Sequence, residues 1–107
     1  VCVLDCGVAV HPDQIAAQVE GCVALALSAA LHGEITLENG RVRQRNYDDC
    51  PIVTLDVMPE VEVHLIAQQP RPGGVGEPPL PPVFPALCNA VFAATGQRVR
   101  RLPIRLA

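Results

Sequence analysis

Between Gln14 and Leu31 the apolar residues Ile15, Val19, Cys22, Val23, Ala26 and Ala30 recur at steps of three and four, and Leu25, Leu27 and Leu31 widen the stripe. That period predicts a helix near 14–31. Its few polar positions, Gln14, Gln18, Glu20 and Ser28, predict burial on most sides. Asp13 is placed to cap the start and Gly33 to stop the end. A different rhythm follows later, where Val61, Val63 and Leu65 alternate with Glu60, Glu62 and His64. Alternation predicts a strand near 60–66 with one wet face. Val1-Cys2-Val3-Leu4 reads as a short buried strand near 1–5, ended by Gly7 and then Pro12. Strands near 35–38 and 41–44 flank Asn39-Gly40, the dipeptide that suits a type I′ hairpin turn.

A second apolar helix is predicted near 83–95, with Pro85 tolerated in its first turn and Gly96 ending it. Asn46 to Pro59 is interrupted by Pro51 and Pro59 and reads as an irregular connection. Gln68 to Pro82 is a loop dense in Pro and Gly, and the tail from Arg98 allows one short strand at Leu102 to Leu106. Together these elements predict an α+β fold: a small antiparallel or mixed sheet covered by two apolar helices, in a single domain spanning 1–107. Two such helices are more than a sheet of this size covers. The uncovered remainder is therefore expected to meet another domain or another copy of the chain.

Composition narrows the function classes. With 107 residues, half of them apolar, the chain can bury one modest core. Eight basic against 11 acidic side chains, with only Arg98, Arg100 and Arg101 clustered, make nucleic acid an unexpected partner. The longest unbroken apolar run, Cys22 to Leu27, predicts no membrane insertion, and the first residues do not resemble a signal peptide. Cys2, Cys6, Cys22, Cys50 and Cys88 lack the CxxC spacings of a zinc or iron–sulfur site and are expected to be buried, reduced thiols. The chain begins without Met on a strand-like run, which predicts a piece of something larger.

Two polar residues stand out chemically. Glu77 lies in Gly73-Gly74-Val75-Gly76-Glu77-Pro78-Pro79, where glycines permit close approach by a ligand and prolines stiffen the chain. A carboxylate held there can be aimed, and in an apolar pocket desolvation would push its pKa up towards the range useful to a base. A solvated loop glutamate is the plainer alternative. Gln18 sits in the most apolar helix, where a buried amide needs partners: a polar heterocycle or a neighbouring backbone would serve. His11, His32 and His64 show no metal-ligand spacing, and the adjacent Asp48 and Asp49 make a poor catalytic pair.

The glycine–glutamate segment, followed by Pro82, Pro85-Ala86-Leu87, Asn89-Ala90-Val91-Phe92-Ala93-Ala94-Thr95-Gly96, Arg98 and Arg100 to Pro103, resembles the C-terminus of the xanthine dehydrogenase and aldehyde oxidase family. Upstream, Asp5-Cys6-Gly7, Pro12-Asp13, Gln18-Val19-Glu20-Gly21, Leu27-Ser28-Ala29-Ala30-Leu31 and His32-Gly33-Glu34-Ile35-Thr36 resemble its isoquinoline 1-oxidoreductase β-subunit branch. The resemblance covers essentially the whole chain. It departs from the pattern at His11, where Asn is expected, at Cys22, where Gly is expected, and at Cys50-Pro51, where an aromatic residue is usual.

The resemblance implies a piece of the large subunit of a molybdenum hydroxylase, oxidising an N-heterocycle or an aldehyde with water as the oxygen source and a molybdenum–pterin cofactor taking the electrons. It implies that Glu77 is the general base, that Gln18 hydrogen-bonds the pterin, and that Gly74, Val75 and Gly76 let the cofactor approach the backbone. The implied partners are the remainder of the large subunit and an iron–sulfur small subunit, and the chain alone is expected to be inactive. Two other functions fit the bare residue pattern: a free-standing assembly or small-molecule binding module, and a self-associating structural domain.

Overall fold

A computed structural model describes residues 1–106. The elements run β1 (Cys2–Asp5), α1 (Pro12–His32), β2 (Leu37–Glu38), β3 (Arg41–Val42), β4 (Val63–Ile66) and α2 (Leu80–Thr95). The α+β class is as expected. The strands, however, form two separate ladders: β1 pairs with β4 in parallel, and β2 pairs with β3 antiparallel. Parallel neighbours need a crossover, and α1 lies within it. Cys2 faces Val63 and Leu4 faces Leu65 in register, so the half-buried positions of both strands share one side. Val3 and His64 share the exposed side.

The core is mainly the inner face of α1: Ile15, Val19, Cys22, Ala26, Leu27 and Ala30 are buried, together with Cys6. Both α2 and β4 pack against α1. Burial is less complete than the apolar stripe suggests, since Leu25 is 59% exposed. On α2 no residue is fully buried. The fold is correspondingly drawn out, with a radius of gyration of 16.4 Å, against about 13 Å for a compact domain of this size. By length and composition α1 could cross a bilayer, with a hydropathy of 1.5, a property that counting unbroken apolar runs missed. Here its inner face packs on protein.

Several boundaries differ from the sequence reading for local reasons. Helix α1 starts at Pro12, and its cap is His11 rather than Asp13: the His11 Nδ1 accepts from the Gln14 N–H at 3.3 Å. At the other end the Gly33 N–H donates to the Ala29 carbonyl at 3.0 Å, and a Cβ at Gly33 would fall 2.6 Å from that same oxygen. Helix α2 begins at Leu80 rather than near 83, because Pro81 and Pro82 suit a first turn whose N–H groups have no helical partner. Pro85 then lies inside the helix. Gly96 closes it in the left-handed conformation, φ 74°, as expected. Asn39 and Gly40, at φ 51° and 77°, form the tight hairpin turn that their chemistry predicts.

The tail forms no strand over Leu102–Leu106. It caps α1 instead: the Ile104 N–H donates to the Ala30 carbonyl at 2.7 Å, and the Arg105 guanidinium donates to the Leu31 carbonyl at 3.4 Å and pairs with Glu34 at 2.9 Å. These carbonyls belong to the last turn of a helix, which has no partners of its own.

Candidate functional site

The site is built where the glycine-rich loop crosses α1. Gly7, at φ +60°, lets the incoming chain press against β1: a Cβ there would sit 2.0 Å from the Arg71 carbonyl oxygen. The Gly73 N–H then donates to the Cys6 carbonyl at 2.8 Å, and the Asp5 carboxylate accepts from Gly7 and Gln68 N–H groups at 3.1 and 3.4 Å. Past Gly73 the loop runs beside α1. The Cys22 thiol donates to the Gly76 carbonyl at 3.1 Å, and the Gln18 Oε1 lies 3.9 Å from where a Gly76 Cβ would stand. The Glu77 carbonyl accepts from the Leu80 N–H at 2.9 Å, turning the chain through Pro78 and the buried Pro79 into α2.

One turn of α1, Gln18 to Cys22, thus meets the segment Gly74 to Glu77. Both Gln18 and Glu77 are exposed. The expected burial of Gln18 does not occur in this chain: it stands at the edge of the face that carries Ile15, Val19 and Cys22 and opens onto a cleft. The apolar pocket expected over Glu77 is likewise not closed by these residues. Beside Gln18 and Val75 lies an open cleft of about 240 Å³, lined also by His11, Gln14, Pro72 and Gly73, among others. Among the described residues, the N–H groups of Gly74, Val75 and Gly76 have no acceptor. No atom lies within 4 Å of where a Gly74 Cβ would be.

The cysteines divide. All five are free thiols; Cys6 and Cys22 are buried as expected, Cys2 and Cys88 are half-buried, and Cys50 is exposed on an irregular segment. Burial pushes the Cys22 thiol above its ordinary pKa, and the neighbouring Cys2 and Glu77 charges add to the rise. Sequence reasoning treats Cys22 as a small hydrophobe. Its link to the loop is hidden because Gly76 is far away along the chain. Ser28, in sequence only a polar interruption, is buried and satisfied: it donates to the Ala24 carbonyl at 2.7 Å and accepts from the Val53 N–H at 3.0 Å.

A family model described as the molybdopterin cofactor-binding domain matches residues 1–59. The chain belongs to that family. Relatives of this molybdopterin-binding domain extend the match over the loop as well. It is 34% identical over 106 residues to the isoquinoline 1-oxidoreductase subunit β of Brevundimonas diminuta, covering 99% of this chain and 14% of that protein. It is 35% identical over 104 residues to a protein of Gluconacetobacter polyoxogenes named membrane-bound aldehyde dehydrogenase (pyrroloquinoline-quinone), covering 97% and 14%. The crystal structure of a Cu,Mo-containing CO dehydrogenase in the carbon monoxide-reduced state superposes with a TM-score of 0.77 at 29% identity, over 88% of this chain and 13% of that one. The domain therefore spans about one seventh of these relatives, 14% by length.

The exposed donor set suits a pterin. Such a heterocycle presents a planar edge of alternating hydrogen-bond donors and acceptors, and an amide is the side chain that offers both. Unpaired backbone N–H groups on a glycine loop supply further donors at close range. Gln18 and Val75 line the cleft, and Gly74 and Gly76 flank Val75 in the chain.

Proposed function

We propose that this domain is the C-terminal part of the large subunit of a molybdenum hydroxylase, in which Glu77 is the general base and Gln18, Gly74, Val75 and Gly76 hold the pterin. The observation that supports the reading is the meeting, where α1 crosses the glycine loop, of an open amide with unpaired loop N–H groups that directly precede an exposed carboxylate. The bound molybdenum–pterin cofactor supplies the electron-accepting chemistry, with water as the source of oxygen.

Gln18 orients the ring through its amide oxygen and nitrogen. The N–H groups of Gly74, Val75 and Gly76 donate to acceptors brought against them, a close approach that the two glycines ease. A carboxylate oxygen of Glu77 takes the proton released as water becomes a nucleophile, then passes it on. The remainder of the large subunit covers the apolar faces left open here and dries the space over Glu77. An iron–sulfur small subunit carries electrons away, and the substrate is an N-heterocycle or an aldehyde.

Replacing Glu77 with Gln in the complete subunit tests the reading. The amide keeps the size of the side chain and cannot take the proton, so kcat is expected to fall by about 10²–10⁴ with molybdenum content unchanged. Wild-type turnover at full molybdenum content would refute the assignment.

A further inference from the structure

The peptide units around Glu77 are fixed from two elements. The Gly76 carbonyl accepts the Cys22 thiol at 3.1 Å from α1, and the Glu77 carbonyl accepts the Leu80 N–H at 2.9 Å from the start of α2. These two restraints are not equivalent. Pro78 already confines the backbone of the residue before it, so the Glu77 end is stiff without help. Gly76 has no side chain and can rotate widely. The softest joint before the carboxylate is therefore the one that the thiol holds.

Cys22 is well suited to that task. It is 5% exposed and lies one turn after Gln18 on the same helix. Its neighbourhood disfavours the thiolate, which keeps the S–H available as a donor at neutral pH. We infer that Cys22 is a positioning residue: by holding the Gly76 carbonyl it sets the direction in which the Glu77 carboxylate projects. This rests on the reading of Glu77 as the base.

The test uses the complete subunit. In the cofactor-loaded enzyme Cys22→Ala is expected to lower kcat about tenfold while KM changes less than about twofold, since a misdirected base costs rate rather than binding. Cys22→Ser restores a donor in a side chain of nearly the same size, and is expected to recover kcat to within about threefold of wild type. In the cofactor-free subunit, exchange of the bonded Gly73 and Leu80 amides that flank the segment is expected to quicken about tenfold in the alanine variant and to return towards wild type in the serine variant. Should Cys22→Ala fail to fold, Cys22→Val, similar in volume and without a donor, takes its place with the same expectations.

Wild-type kcat and exchange in the donor-free variant would overturn the inference, as would a serine variant no better than alanine. Glu77→Gln run in parallel separates the two ideas. Full turnover in Glu77→Gln removes the base reading and this inference with it. Loss of turnover there beside a silent Cys22→Ala removes the role of the thiol alone.

Discussion

The two halves of α1 support different kinds of structure. Along its first half, β1 and the glycine loop are tied to each other by backbone contacts at Gly7 and Gly73, and the loop is tied to the helix by the Cys22 thiol at Gly76. Beside its second half, the hairpin and the segment up to Pro59 hold on through little more than the Ser28 hydroxyl, and apolar side chains such as Leu37, Ile52 and Leu55 stay exposed. Similar apolar content thus yields a rigid frame in one place and an open arm in the other. The difference lies in where glycine allows one backbone to lie directly on another.

That contrast predicts a graded response to substitution, read by thermal denaturation and hydrogen exchange of the complete subunit. Gly7→Ala should have the largest effect, about 3 kcal/mol, because it combines a left-handed backbone with a Cβ driven into the Arg71 carbonyl. Val19→Ala follows at about 2 kcal/mol, since Val19 is completely buried against the loop side of the core. Gly40→Ala should cost about 1 kcal/mol: its φ of +77° is strained for alanine, yet nothing lies within 4 Å of the added carbon. Leu55→Ser, at a position 93% exposed, should change the stability of this domain by less than about 0.5 kcal/mol. A large effect of Leu55→Ser would show that other polypeptide covers the arm.

Thiol chemistry separates the two regions without mutation. Alkylation followed by mass spectrometry should label Cys50 first, Cys2 and Cys88 more slowly, and Cys6 and Cys22 only on unfolding. Alkaline pH adds a smaller effect of defined sign. A thiol whose pKa is raised by folding stabilises the fold fully below its unfolded value, and that contribution is lost as pH rises through the folded value. Above about pH 9 the wild type should therefore lose stability faster than Cys22→Ser, as followed by denaturation midpoints across pH 7 to 10.

Features set by neighbours along the chain are legible from the residues alone. The Asn39-Gly40 turn, the 3.6-residue stripe of α1, the alternation in β4 and the left-handed Gly96 cap each depend on a few consecutive residues. Features that escape such a reading depend on distant chain or on unusual partners. A histidine as the α1 cap, a tail that caps rather than pairs, and strands split between two ladders are all choices made by tertiary contact. At the site, sequence reasoning singles out Gln18 and Glu77, and the structure places both on the seam between α1 and the loop. Their exposure cannot be inferred from the apolar composition around them, because both stand at an edge that this chain leaves open. Cys22 escapes notice as a donor because its acceptor, the Gly76 carbonyl, is a backbone atom that no residue type announces.

The latch of Ile104 and Arg105 onto the end of α1 has a consequence for biosynthesis. An amphipathic rod must wait for a segment 74 residues further along the chain before its last turn is sealed. Until then it offers chaperones and neighbouring nascent chains an oily, half-finished surface, so maturation is gated by the slowest long-range closure.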